Sequence, residues 1–300
     1  MNWLNRIIVC ILPWFPKSFV WIFSKRYIAG KTLDDAIEQS KALNAAGCRV
    51  TIDVLGEDIT SLDEAEEEKQ ECLHVLQAIH DHEIDGSLSV KLSSLGLKLD
   101  KEVCYRHVRE IAQRAETLDN FVRIDMEDAT TTDDTLEIYQ RLHRDFRNTG
   151  IVVQAYLKRT PEDVRKLIEA SASNLRLCKG IYDESPDIAY KDKQKIRDQF
   201  ADIIRMNLES GAYSGIATHD SEVIRRSLDF LKDLNAPKSR YEFQMLLGVT
   251  EKLRQKLVEA GHGMRIYVPY GEHWYAYSMR RLKENPGVAG YIIKNLFVRG

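Results

Sequence analysis

The chain has 300 residues, 44% of them hydrophobic and 30% charged, with a formal net charge of -3. That length can bury one large core, about 250 residues being typical of a (β/α)8 barrel, and the near-neutral balance excludes a broad basic field for nucleic acid. The five cysteines (Cys10, Cys48, Cys72, Cys104, Cys178) are scattered with no C-x-x-C pair. This pattern excludes a zinc knuckle or a disulfide framework and predicts a reducing, cytoplasmic setting.

The first thirty residues differ from the rest. Ile7-Ile8-Val9-Cys10-Ile11-Leu12 and Phe19-Val20-Trp21-Ile22-Phe23 are apolar runs interrupted by Pro13, Pro16 and Lys17. A bilayer span needs about 20 mostly apolar residues, so these runs are too short and too broken to cross a membrane. No small-residue cleavage site follows soon after Arg6, which argues against a secretory signal. Trp3, Trp14 and Trp21 fall here, and tryptophan favours the membrane interface. Residues 1–30 therefore read as an apolar arm, with two roles open: packing on the rest of the protein, or shallow peripheral membrane contact through residues 1–24.

Beyond residue 30, short β-branched runs alternate with longer amphipathic stretches. The runs predict strands at 49–54, 88–92, 121–126, 151–156, 175–178, 214–217, 241–246 and 265–268. Ser61-Leu62-Asp63-Glu64 predicts a capping box, and Thr160-Pro161 a helix start. Gly47, Gly86, Gly150 and Gly261 fall where helices are expected to stop. Eight strands at about 30 residues per unit imply parallel pairing with right-handed crossovers. The fold expected is α/β, a (β/α)8 TIM-type barrel over residues 31–300 with the N-terminal arm before it. An open doubly wound sheet is the rival, but no G-x-G-x-x-G follows the first strand.

Barrel enzymes carry their chemistry at the C-terminal strand ends. Lys91 ends the second strand, where a lysine can anchor a carboxylate, form a Schiff base or remain solvated. Arg123 and Asp125 alternate onto one face of the third strand, towards the interior, and Lys91 is a candidate partner for that charge. Asp125 and Glu127 without clustered histidines make a poor metal site, and none is expected. Gln154 lies in the fourth strand, where its amide needs partners and suits a heterocycle. Arg176 in an apolar strand implies a buried anion or polar ligand, and Gly180 allows close backbone approach. Thr218-His219-Asp220 precedes a helix whose free amides suit phosphate. On the last helix Tyr277, Arg280, Arg281 and Glu284 share a face, which is either a solvated stripe or a guanidinium clamp for a carboxylate.

Six motifs in chain order then carry a family resemblance: Ser89 to Gly96, Phe121 to Asp128, Arg176 to Gly180, Ala217-Thr218-His219, Tyr241 to Leu246, and Tyr267 to Asn285. Over residues 28–292 the chain resembles the proline dehydrogenase family. The resemblance implies oxidation of L-proline to 1-pyrroline-5-carboxylate by hydride transfer to FAD, with electrons passed to a membrane quinone. It implies that Arg280, Arg281 and Lys91 hold the substrate carboxylate and that Tyr267 and Tyr277 wall the pyrrolidine ring. Asp125, linked to Lys91, and Arg176 are the implied catalytic pair. Met126, Gln154, Lys179, Gly180, Ile181, Thr218, His219 and Glu284 fall where the family binds FAD. The quinone gives the arm a purpose, at the inner face of the membrane. Three departures stand out. Ile181 replaces a usual alanine and threatens to narrow the flavin site, Asp220 replaces an asparagine near a phosphate, and Leu247 replaces a more polar residue. The absence of DNA-binding or second dehydrogenase motifs suggests the single-function form. The competing readings are a Schiff-base aldolase using Lys91 or Lys179, and a non-catalytic ligand-binding barrel.

Overall fold

The computed structural model describes residues 17–56 and 59–284, apart from the side chains of 18, 19, 23 and 281–284. The elements run α1 (Lys17–Ser24), α2 (Leu33–Ala45), β1 (Arg49–Val54), α3 (Leu62–Asp81), β2 (Gly86–Val90), α4 (Lys101–Thr117), β3 (Val122–Ile124), α5 (Thr132–Asp145) and β4 (Thr149–Gln154). They continue with α6 (Thr160–Glu169), β5 (Leu175–Cys178), α7 (Lys193–Glu209), β6 (Ser214–Ala217), α8 (Ser221–Asp233), β7 (Tyr241–Leu246), α9 (Glu251–Glu259), β8 (Met264–Tyr270) and α10 (Trp274–Glu284). The eight strands form one closed parallel barrel in sequence order, and β8 pairs back to β1 with Thr51 opposite Tyr267. The expected (β/α)8 architecture is therefore the observed one.

Strand alternation sorts the residues. Val50 and Ile52 of β1 join the apolar layer beneath the helices, while Thr51 faces the barrel interior. The apolar layer (Leu76, Leu88, Ile124, Phe200, Phe243 and their neighbours) lies mainly between barrel and helices. Much of the interior is polar, where many barrels stack branched aliphatic side chains.

Two of the four glycines depart from the expectation. Gly86 and Gly150 do not stop helices; they lie in β2 and β4, which start earlier than expected. A Cβ on Gly86 would lie 2.6 Å from Val50 Cγ2, and one on Gly150 would lie 2.2 Å from Arg123 Nη1. Both glycines thus serve close packing inside the sheet. Gly47 and Gly261, with φ of 75° and 76°, do follow helix ends. Ser61 caps α3 by accepting from the Glu64 amide, but the Glu64 carboxylate accepts from the Thr60 amide at 2.5 Å, one residue further back than a capping box requires.

The described part of the arm packs on the protein. Trp21 meets Trp274 at 4.7 Å between ring centroids, and Val20, Tyr27 and Ile28 are buried with Leu55, Tyr277 and Met279. Lys31 joins Glu272 at 3.1 Å across the same seam. Residues 1–16 lie outside the described residues. Among the described residues no helix is long and apolar enough to cross a membrane. Because Trp274 anchors both α1 and α10, Trp274→Ala should cost about 3–5 kcal/mol. Urea denaturation checks this, and a loss below 1 kcal/mol would mean that the seam contributes little.

Candidate active site

Lys91 is the first residue beyond β2, and its ammonium lies 2.6 Å from Asp53 Oδ1, near the end of β1. Asp125, just beyond β3, accepts from Arg176 Nη1 at 2.8 Å, Ser89 Oγ at 2.8 Å and the Tyr267 hydroxyl at 2.7 Å. The expected Lys91–Asp125 link is therefore indirect: the Lys91 ammonium lies 3.5 Å from Tyr267 Oη, which donates to Asp125. The reason is geometric. β1 and β3 both flank β2, but the Lys91 ammonium meets Asp53 of β1, while Asp125 beyond β3 is taken by Arg176 reaching across the interior. Arg176 is buried, donates through Nε to Gln244 Oε1 at 2.7 Å and sits 5.3 Å from the Tyr267 ring centroid.

Burial dominates the electrostatics here. It pushes the Asp53 carboxyl up to about 6 against the opposing pull of Lys91. Burial, reinforced by the Asp125 and Asp53 charges, also holds the Tyr267 phenol well above its ordinary value, so it remains a donor. Burial and the nearby Asp53 charge push Glu68 up to about 8. Its carboxyl rests on Gly56, where a Cβ would approach Oε2 to 2.5 Å.

Apart from Glu284 on α10, the residues expected to bind a cofactor lie at or beyond the ends of β3 to β6. Gln154, at the end of β4, donates to the carbonyls of Met126 at 3.1 Å and Glu127 at 3.2 Å. Its Oε1 is buried with no hydrogen-bond partner among the described residues. Lys179 has an exposed side chain and offers its carbonyl to the Tyr156 amide. Gly180 takes φ of 97° over the Tyr156 ring, where a Cβ would fall 2.1 Å from Cδ1. Ile181, next to Gly180, is 54% exposed. Thr218 is buried, and His219 Nε2 accepts from the Leu246 amide at 2.9 Å. Asp220 caps α8 and pairs with Arg197 at 2.7 Å, so its added charge is locally compensated. Leu247 is buried.

On α10, Tyr277 is buried and the Arg280 guanidinium lies 5.9 Å from its ring centroid. Tyr277 packs in one cluster with Leu55, two residues beyond Asp53. Arg281 and Glu284 are helical, but their side chains lie outside the described residues. Asp53, Ser89, Gln244 and Glu68 are site groups that residue-by-residue reading missed. The first three carried a signal: Thr51 and Asp53, Ser89 and Lys91, and Glu242 and Gln244 are period-2 polar pairs within apolar strands.

These features define the class: a (β/α)8 barrel with an ion-paired polar interior and a cluster of charged side chains at its C-terminal rim. The family described as Proline dehydrogenase matches residues 36–292. Proline dehydrogenase 1 of Bacillus subtilis strain 168 is 40% identical over 273 residues, covering 91% of this chain and 90% of the relative. Proline dehydrogenase of Deinococcus radiodurans is 33% identical over 285 residues, covering 93% and 92%. The crystal structure of proline utilization A from Bdellovibrio bacteriovorus inactivated by N-propargylglycine superposes with a TM-score of 0.84 at 26% identity; the match covers 90% of this chain and 33% of that longer one. The chain belongs to the proline dehydrogenase family.

The Glu68 environment yields a pH test. Its folded value, about 8, lies above its ordinary 4.5, so the bound proton stabilises the fold fully below pH 4.5 and the benefit is lost as pH rises towards 8. Glu68→Gln should therefore gain stability over wild type with rising pH, by up to about 1.4 kcal/mol per unit between pH 5 and 8. Urea curves at pH 5, 6.5 and 8 check this, and a pH-independent difference would refute it.

Proposed function

We propose that the chain oxidises L-proline to 1-pyrroline-5-carboxylate with FAD as cofactor and a membrane quinone as final acceptor, the first step in degrading proline to glutamate. The observation that carries the reading is the buried rim network of Lys91, Asp125, Arg176 and Tyr267 beside an unsatisfied Gln154 acceptor. A partnerless buried carbonyl costs about 1–3 kcal/mol unless a donor reaches it. The pyrimidine edge of a flavin offers such a donor, so the residues fit the cofactor. When bound, FAD supplies the two-electron acceptor, taking hydride from proline C5 at its N5.

The remaining roles belong to the chain. Gln154, the Met126 segment and the backbone of Lys179, Gly180 and Ile181 would hold the ring system, while Thr218, His219 and Glu284 would hold the rest of FAD. Arg176 is assigned to the reactive edge, kept in place by Asp125 and Gln244. Arg280, Arg281 and Lys91 take the substrate carboxylate, and Tyr267 and Tyr277 wall the ring. Asp53 is a positioning residue for Lys91. Because Asp53 and Asp125 are already paired, the added guanidinium groups make the field on the bound amine cationic. That field favours the neutral amine that hydride loss requires. Lys91 locked as an ammonium against Asp53 is poorly suited to the nucleophile of an aldolase.

Purified protein should be yellow and should bleach when L-proline is added without oxygen. Arg280→Met should still hold the flavin but raise the KM for proline about ten- to a hundredfold. A colourless protein that takes up no FAD would overturn the proposal. The peripheral membrane role is assigned to the arm: deleting residues 1–16, which leaves the α1–α10 seam intact, should reduce binding to liposomes while activity with a soluble dye persists. Unchanged liposome binding would remove that role.

A further inference from the structure

The opposite, N-terminal end of the barrel encloses a polar cavity of about 220 Å³, against the ~10–15 Å³ that one water needs. Its wall carries an excess of positive charge. Arg123 is 4% exposed, and its guanidinium donates to the Asn174 carbonyl at 2.6 Å, the Asn174 side-chain oxygen at 2.8 Å and the Ile151 carbonyl at 3.3 Å. No carboxylate pairs with it among the described residues, so its acceptors solvate the charge without cancelling it. Gly150 leaves the space that this guanidinium fills, since a Cβ there would lie 2.2 Å from Nη1.

The other charges do not restore balance. Arg265 donates to Glu242 at 2.5 Å, to the Val50 carbonyl and to Ser87. Arg49, about half exposed at the cavity mouth, lies 3.6 Å from the same Glu242 and 3.6 Å from Asp85 on the rim. Arg123, Arg265 and Arg49 thus line a cavity whose wall holds a single carboxylate, Glu242; Arg176, also in the wall, is paired with Asp125. Burial pushes Arg123 down only to about 10, so it stays a cation at neutral pH. An uncompensated buried charge is costly, and guanidinium forks match the oxygens of carboxylate and phosphate.

We propose that this cavity is a binding site for a small oxyanion, carboxylate or phosphate in type, separate from the C-terminal rim. Arg123 and Arg265 supply its floor and Arg49 its entrance, while Glu242 limits the affinity. The site meets the rim through one chain of contacts. Glu242 accepts from Gln244 at 2.8 Å, Gln244 accepts from Arg176, and Arg176 donates to Asp125.

The test uses the flavin-loaded protein, so that the rim phosphate positions are filled. Melting midpoints are titrated with inorganic phosphate and with acetate at constant ionic strength, with chloride as the balancing salt. A saturable rise with either oxyanion supports the site, and which of them saturates identifies the ligand type. The rise should persist in Arg280→Met, which removes a rim guanidinium. It should weaken at least tenfold in Arg123→Met, or in Arg49→Gln should the buried variant fail to fold. Glu242→Gln should tighten binding severalfold. An unsaturable rise, or one of equal strength in wild type, Arg49→Gln and Glu242→Gln, overturns the proposal and leaves the rim chemistry untouched.

Discussion

Ionised side chains inside a closed β-barrel must find most of their partners within the barrel, because the strands that enclose them leave little contact with bulk water. Here that constraint produces a connected series. Arg265 and Glu242 lie at the N-terminal end, Gln244 and Arg176 in the middle, and Asp125, Tyr267, Lys91 and Asp53 at the C-terminal rim. Each member is oriented by the next. The rim groups are thereby held before any ligand arrives, which is the condition under which electrostatic preorganisation contributes to catalysis.

The same constraint explains why the apolar layer lies mainly outside the barrel. With much of the interior given to polar groups, stability comes from the seal between strand faces and helices, where Ile52, Leu88, Ile124 and Phe243 are fully buried. The glycines follow from this arrangement. Gly150 and Gly215 are small so that Arg123 and Gln244 have somewhere to lie. A barrel filled with branched aliphatic residues would not need them.

The fold was legible because its signal is repetitive: eight β-branched runs alternate with amphipathic stretches, and no single misplaced boundary changes the count. The polar network was legible where unusual residue types stood at strand ends, as with Lys91 and Asp125, or inside apolar strands, as with Arg176 and Tyr267. Pairing was not legible, since Lys91 meeting Asp53 depends on strand adjacency and side-chain reach, which the linear sequence does not encode. Asp53 nevertheless stood in view, alternating with Thr51 inside an apolar strand, and its period marked it as interior. Glu68 offered no such signal. It lies on an acidic helix among Glu66, Glu67 and Glu71, and only the bare backbone of Gly56 against its carboxyl reveals that it is withdrawn from water.

The arm and the last helix bear on the rim together. α10 carries Tyr277 and Arg280, and α1 packs against it through Trp21 and Val20. The helix that carries Arg280 is thus packed against one some 250 residues earlier in the chain. In a barrel whose interior is fixed by ion pairs, the seam between these two helices is held by apolar contacts, which tolerate small sliding where a buried salt bridge does not. An apolar arm that served only as a membrane contact would have no reason to place Val20 and Tyr27 beside Tyr277.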